Sequence, residues 1–88
     1  MNDQDPEIIY SKRTGSYLVD NERVEVLIYK SDTDPQWILE VVNRNGTSIV
    51  WDDAFINDDM AWRVFQDTVE NEGIRAFLDE DDPRMTVH

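Results

Sequence analysis

Four aspartates lie close together in the sequence, Asp52-Asp53 and Asp58-Asp59, and they are the first residues whose type and spacing could do chemistry. Carboxylates gathered at one corner supply the hard oxygen ligands that Mg²⁺ or Ca²⁺ takes, so the pattern admits a divalent-cation-dependent activity. It equally admits a local role. Asp58 and Asp59 follow Asn57, whose side chain can accept from the free N–H groups of a helix start, and a first helical turn favours negative charge. Asp52 and Asp53 can satisfy backbone donors in the corner itself. Capping is the stronger reading, because no histidine, lysine base or phosphate-binding loop accompanies the cluster.

A second acidic run, Asp32-Thr33-Asp34 followed by Glu40, has only the start of a calcium loop. Such a loop requires glycine at its sixth position and glutamate at its twelfth, where this chain has Trp37 and Asn43. A solvated turn remains. The single histidine is His88, cysteine is absent, and Gly15, Gly46 and Gly73 are too far apart for a phosphate-binding loop. No catalytic residue, cofactor or resident metal is expected, and the chain reads as non-enzymatic.

The elements that would hold these residues come from residues 48–78. A strand through Ser48, Ile49, Val50 and Trp51 runs into the acidic corner and then into one amphipathic helix. Ala61, Val64, Phe65, Thr68 and Val69 recur at spacings of three and four and form its apolar stripe. Asn57 is the expected N-cap, Ile56 is placed to fold onto Ala61 as a hydrophobic staple, and Gly73 is the expected stop, with Ile74 packing back on the last turn. Phe77 and Leu78 form an apolar lock beyond it.

The preceding residues read as strands: Glu7 to Lys12, then Tyr17 to Val19 after a Thr14-Gly15-Ser16 turn, and Arg23 to Lys30 after an Asp20-Asn21-Glu22 turn. Trp37 to Asn43 follows a polar loop containing Pro35. Register can be argued at the last hairpin. A two-residue Asn45-Gly46 loop would set Val42 against Ile49 and scatter the large apolar residues over both faces. A three-residue loop, Arg44-Asn45-Gly46 with a left-handed glycine, sets Val41 against Ile49 and Leu39 against Trp51. The second choice collects Trp37, Leu39, Val41, Ile49 and Trp51 on one face with Val24, Val26 and Ile28.

One helix covers one face. The other face would then carry Leu27, Tyr29, Ile38, Val42 and Val50 beside Glu25, Glu40 and Ser48. An apolar patch of that kind marks a partner unless another segment covers it, and Phe77, Leu78 or Ile8 to Tyr10 are the segments available. Among the aromatic residues, Trp37, Trp51 and Phe65 belong to the expected core. Trp62, next to Arg63 and off the centre of the stripe, is expected as a partly exposed contact residue.

With 88 residues there is room for one domain and one modest core. Twenty acidic residues against eight basic ones give a net charge of −12. Phosphate backbones and anionic lipids repel such a chain, so direct nucleic-acid or membrane binding is not expected, and basic protein surfaces are the favoured partners. The acidic residues at both ends lead to an expected disordered tail at 1–6, a single domain at 7–78 and an acidic disordered tail at 79–88. The absence of cysteine, of a signal peptide and of an apolar run of membrane-spanning length points to the cytoplasm.

The run Trp37-Ile38-Leu39-Glu40-Val41-Val42, Asn45-Gly46-Thr47-Ser48, Trp51-Asp52-Asp53-Ala54-Phe55, Asp58, Ala61 and Glu72-Gly73-Ile74 resembles small conserved bacterial proteins of unassigned function. That resemblance spans about residues 7–78; it implies a compact bacterial domain and no particular activity. The expected fold is α+β, an antiparallel meander of four to five strands followed by one amphipathic helix on one face. The expected function is a protein-interaction domain whose partner is another protein or a second copy of itself. The cation-dependent corner is one alternative, and an acidic decoy or regulator of a nucleic-acid-binding protein is the other.

Overall fold

The structure, a computed structural model, describes residues 6–85. The expected tail segments at residues 1–5 and 86–88 lie outside the described residues. The chain forms an antiparallel sheet, followed by one helix: β1 (Ile8–Tyr10), β2 (Gly15–Val19), β3 (Glu22–Ser31), β4 (Ile38–Val42), β5 (Ser48–Val50) and α1 (Asp58–Glu72). This is the α+β meander that the sequence implies.

The first two strands do not pair with each other. Both lie antiparallel along β3, with Ile8 opposite Ser31 at one end and Val19 opposite Glu22 at the other, so they form one interrupted edge. Residues 11–14 make the interruption. Thr14 bridges it, since its Oγ1 donates to the Ile28 carbonyl at 3.2 Å and accepts from the Ile28 N–H at 3.0 Å, replacing a backbone partner with a side chain. The expected turn at Thr14-Gly15-Ser16 is therefore a break within one lane. The true reversal is the two-residue loop Asp20-Asn21, where φ of 53° and 67° gives the left-handed pair that a tight hairpin needs.

The β4–β5 hairpin has the expected register, with Val41 opposite Ile49, and the Trp51 N–H donates to the Leu39 carbonyl at 3.1 Å. Its loop closes through Asn43 and Thr47 around Gly46, whose φ is +86°. Beyond Trp51, residues Asp52, Asp53 and Ala54 bulge outward before Phe55 pairs with Trp37. That bulge returns Phe55 to the core.

Alternation then sorts the side chains. Val19, Val24, Val26, Ile28, Leu39 and Val41 are buried on one face under Ala61 and Phe65 of α1, and Tyr17, Trp37, Ile49 and Trp51 pack around them. Each fully buried aliphatic side chain stabilises the fold by about 1.5–3 kcal/mol relative to exposure. Asn57 caps α1 as expected, accepting from the Met60 N–H at 2.8 Å. The expected staple does not form: Ile56 is 70% exposed while Ala61 is buried.

Gly73 ends α1 with φ of 67°, and its N–H reaches the Val69 carbonyl. A Cβ there would lie 2.6 Å from Asp20 Oδ2. The same Asp20 oxygen accepts from the Ile74 N–H at 2.9 Å, so the β2–β3 turn caps the short 3-10 helix Gly73–Phe77 that follows. Phe77 and Leu78 are buried in the same core as α1, Phe77 lying against Phe65 and Trp51.

The segment after Leu78, expected as a disordered tail, is tied to the sheet in residues 79–85. Buried Asn43 donates to the Phe77 carbonyl at 3.0 Å and to Asp79 at 3.2 Å, while its own oxygen accepts from the N–H groups of Asn45 and Thr47. Hydrogen bonds from Thr47, Asn45 and Asn43 hold the Asp79 carboxyl below the usual aspartate range. Arg84, in a 3-10 turn at Pro83–Met85, donates to Glu22 at 2.7 Å and to Asp82 at 3.0 Å, lowering both carboxyl pKa values.

Candidate interaction surface

The face of the sheet turned away from α1 is built by the same alternation. In register, Tyr10, Tyr29 and Ile38 form one row, Leu27, Glu40 and Val50 the next, Ser16, Glu25, Val42 and Ser48 a third, and Leu18 with Arg23 the end. The five residues expected here, Leu27, Tyr29, Ile38, Val42 and Val50, are thus brought together. Val50 is 50% exposed and the other four are half-buried by their neighbours.

The segments expected as cover lie elsewhere. Phe77 and Leu78 are in the core on the helix side, and Ile8 to Tyr10 extends the sheet sideways instead of folding over it. Tyr10, 56% exposed, adds to the open face with its ring 5.9 Å from that of Tyr29. Leu18, 69% exposed, adds to it at the other end. Neither residue is among those the sequence places on this surface. Their signal is parity: once residues 8–19 are one lane opposite β3, Tyr10 and Leu18 must share the side of Tyr29 and Leu27.

Two carboxylates stand among these apolar groups. Ser16 Oγ donates to Glu25 at 2.5 Å, and Tyr29 donates to Glu40 at 2.9 Å, with Ser48 donating to the other Glu40 oxygen. Burial, reinforced by the adjacent Glu40 carboxylate, pushes the Tyr29 phenol above its ordinary value. At one end of the face is a shallow pocket of about 340 Å³ lined by Arg23, Glu25, Val42, Asn43, Arg44 and Gly46. Arg44, part of this lining, also reaches Glu22, 3.6 Å away.

Trp62 is not part of this surface. It lies on α1, on the opposite side of the sheet, with its ring 4.9 Å from Tyr17 and 5.3 Å from Phe65, and the Arg13 guanidinium lies 5.3 Å from the ring centroid. It packs between the interrupted edge and the helix and stays partly exposed, as expected. The pairing with Arg13 could not be anticipated, because Glu7 to Lys12 reads as a separate strand ended by a turn at Thr14-Gly15-Ser16.

The aspartate corner does not converge. Asp58 accepts from the buried Ser11 hydroxyl at 2.6 Å, Asp59 pairs with Arg13 at 3.3 Å, and Asp52 and Asp53 are exposed on the bulge. Among the described residues, no three carboxylate or imidazole side chains are gathered as a metal site. The helix start thus fastens the interrupted edge to the domain. In the Ser31–Gln36 loop, Asp34 accepts from the Gln36 N–H at 2.9 Å, which is turn chemistry.

No protein-family model, curated protein or solved structure matches the chain. Among the described residues, no helix is long and apolar enough to cross a membrane.

Proposed function

We propose that this chain is a non-enzymatic, cytoplasmic protein-interaction domain that docks a protein partner on the open face of its sheet. One observation carries this reading: Tyr10, Leu18, Leu27, Tyr29, Ile38, Val42 and Val50 share a face, while the described helix and C-terminal segment pack against the other side. Contiguous apolar patches of that kind on small domains are normally contact surfaces. The surface is also preorganised, since strand pairing holds every member in place and docking requires no rearrangement of the backbone.

The test is the double variant Ile38→Lys, Val42→Lys, compared with the parent chain. Both side chains lie on the open face, so the variant is expected to stay folded by far-UV circular dichroism. It is expected to lose any association seen by light scattering, or any complex recovered by crosslinking in cells. Unfolding of the variant would show that this face is internal. Unchanged association by a folded variant would place the contact surface elsewhere.

A further inference from the structure

The occupant of the open face can be specified further, resting on the reading of that face as a docking surface. Glu40 stands inside the apolar rows, between Leu27 and Val50, and Glu25 stands one row on, between Ser16 and Val42. Their nearest donors are the hydroxyls of Ser16, Tyr29 and Ser48, which fix where the carboxylates point and bring no positive charge. The cations at this end of the sheet lie at the margin, Arg23 in the last row and Arg44 directed to Glu22. A partner that covered this face with apolar groups alone would strip water from two anions and give them no counter-charge.

A second copy meets the same difficulty. A two-fold axis through the middle apolar row sets the row of Leu27, Glu40 and Val50 against itself, so that two Glu40 carboxylates are desolvated together. Each copy also carries a net charge of −12, which opposes encounter.

We propose that the open face receives a different protein that presents lysine or arginine side chains among apolar ones, the cations seated on Glu25 and Glu40 and the apolar groups on Tyr10, Leu27, Tyr29, Ile38, Val42 and Val50. The carboxylates then select the partner and set its register, while the apolar rows hold it.

The probes are two synthetic peptides of equal length, one alternating leucine with lysine and the other alternating leucine with glutamate. Each is titrated into the isotope-labelled full chain and followed by amide chemical shifts. The lysine peptide is expected to shift β3 and β4, and the glutamate peptide to leave them unmoved. The combined Glu25→Gln, Glu40→Gln variant keeps hydrogen-bond acceptors for the same hydroxyls, and its spectrum reports directly that the sheet is intact. It is expected to bind the lysine peptide about tenfold more weakly.

Equal binding by parent and variant, or binding confined to the acidic residues 79–82, would overturn the assignment. Concentration-dependent shifts of the open face without any peptide would identify a second copy as the occupant, overturning this inference while leaving the docking face in place. No shift on that face under any of these conditions would remove the inference and the docking reading together.

Discussion

Ile38 and Leu39 are neighbours on β4, both aliphatic and of equal size, and the domain uses them in opposite ways. Leu39 is fully buried beneath the helix; Ile38 lies on the open face in the row of Tyr10 and Tyr29. The covered face is closed by aliphatic side chains, by Phe65 and Phe77, and by polar bonds at its margins. On the open face, two carboxylates that have only hydroxyl donors stand beside the apolar groups. The same strand geometry therefore makes a core on one side and a mixed apolar and acidic surface on the other. Hydrophobic character alone does not tell the two apart.

The margin of the covered face is where this contrast can be broken most readily. Asn43 holds the Phe77 carbonyl and two N–H groups of the β4–β5 loop at once. Replacing it with leucine keeps the branching at Cγ and leaves those groups unpaired, so Asn43→Leu is expected to lower stability by about 1–3 kcal/mol in urea unfolding. A negligible change would mean that the C-terminal segment is not part of the closure.

A smaller effect sharpens the contrast from the other side. Burial and the Glu40 carboxylate raise the Tyr29 pKa, so its neutral form is favoured in the folded chain. The resulting contribution to stability is complete below the ordinary tyrosine pKa of about 10 and is lost as pH rises through the elevated folded value. Glu40→Gln is expected to bring the Tyr29 titration part of the way back, followed by the ring carbon shifts of that residue. Burial is the larger cause, so a remainder persists. An ordinary value in the parent chain would show that the open face is as wet as any exposed surface.

Much of this architecture is legible in the sequence wherever a local pattern suffices. Asn57 and Gly73 bound the helix because capping is a matter of a few adjacent residues. Gly46 and the alternation around it set the β4–β5 register, since a slip of one residue would turn every large apolar side chain to the wrong face. That register also places Leu27, Tyr29, Ile38, Val42 and Val50 on one side.

What is not legible depends on partners distant in sequence. Residues 7–12 read as a strand of their own, closed by a turn at Thr14-Gly15-Ser16, because nothing local shows Thr14 replacing a backbone partner of Ile28, and with that break misplaced, Tyr10 and Leu18 are lost from the surface. Asp20 caps a helix 54 residues away, and Asn43 meets Phe77 across 34. Arg84 finds Glu22 from within a run that composition alone marks as solvated tail. Ile56 has the right position for a staple and still faces solvent, because position next to a cap does not fix the entry angle of the chain.

The most direct test of the two-faced sheet is the pair of single variants Leu39→Lys and Ile38→Lys, compared by urea unfolding under identical conditions. The account predicts that Leu39→Lys is unfolded or nearly so, because it buries an unpaired charge in the core. Ile38→Lys is predicted to keep a cooperative transition within about 1 kcal/mol of the parent. Similar losses in both variants would contradict it, since Ile38 would then be as internal as Leu39 and the open face would not be open.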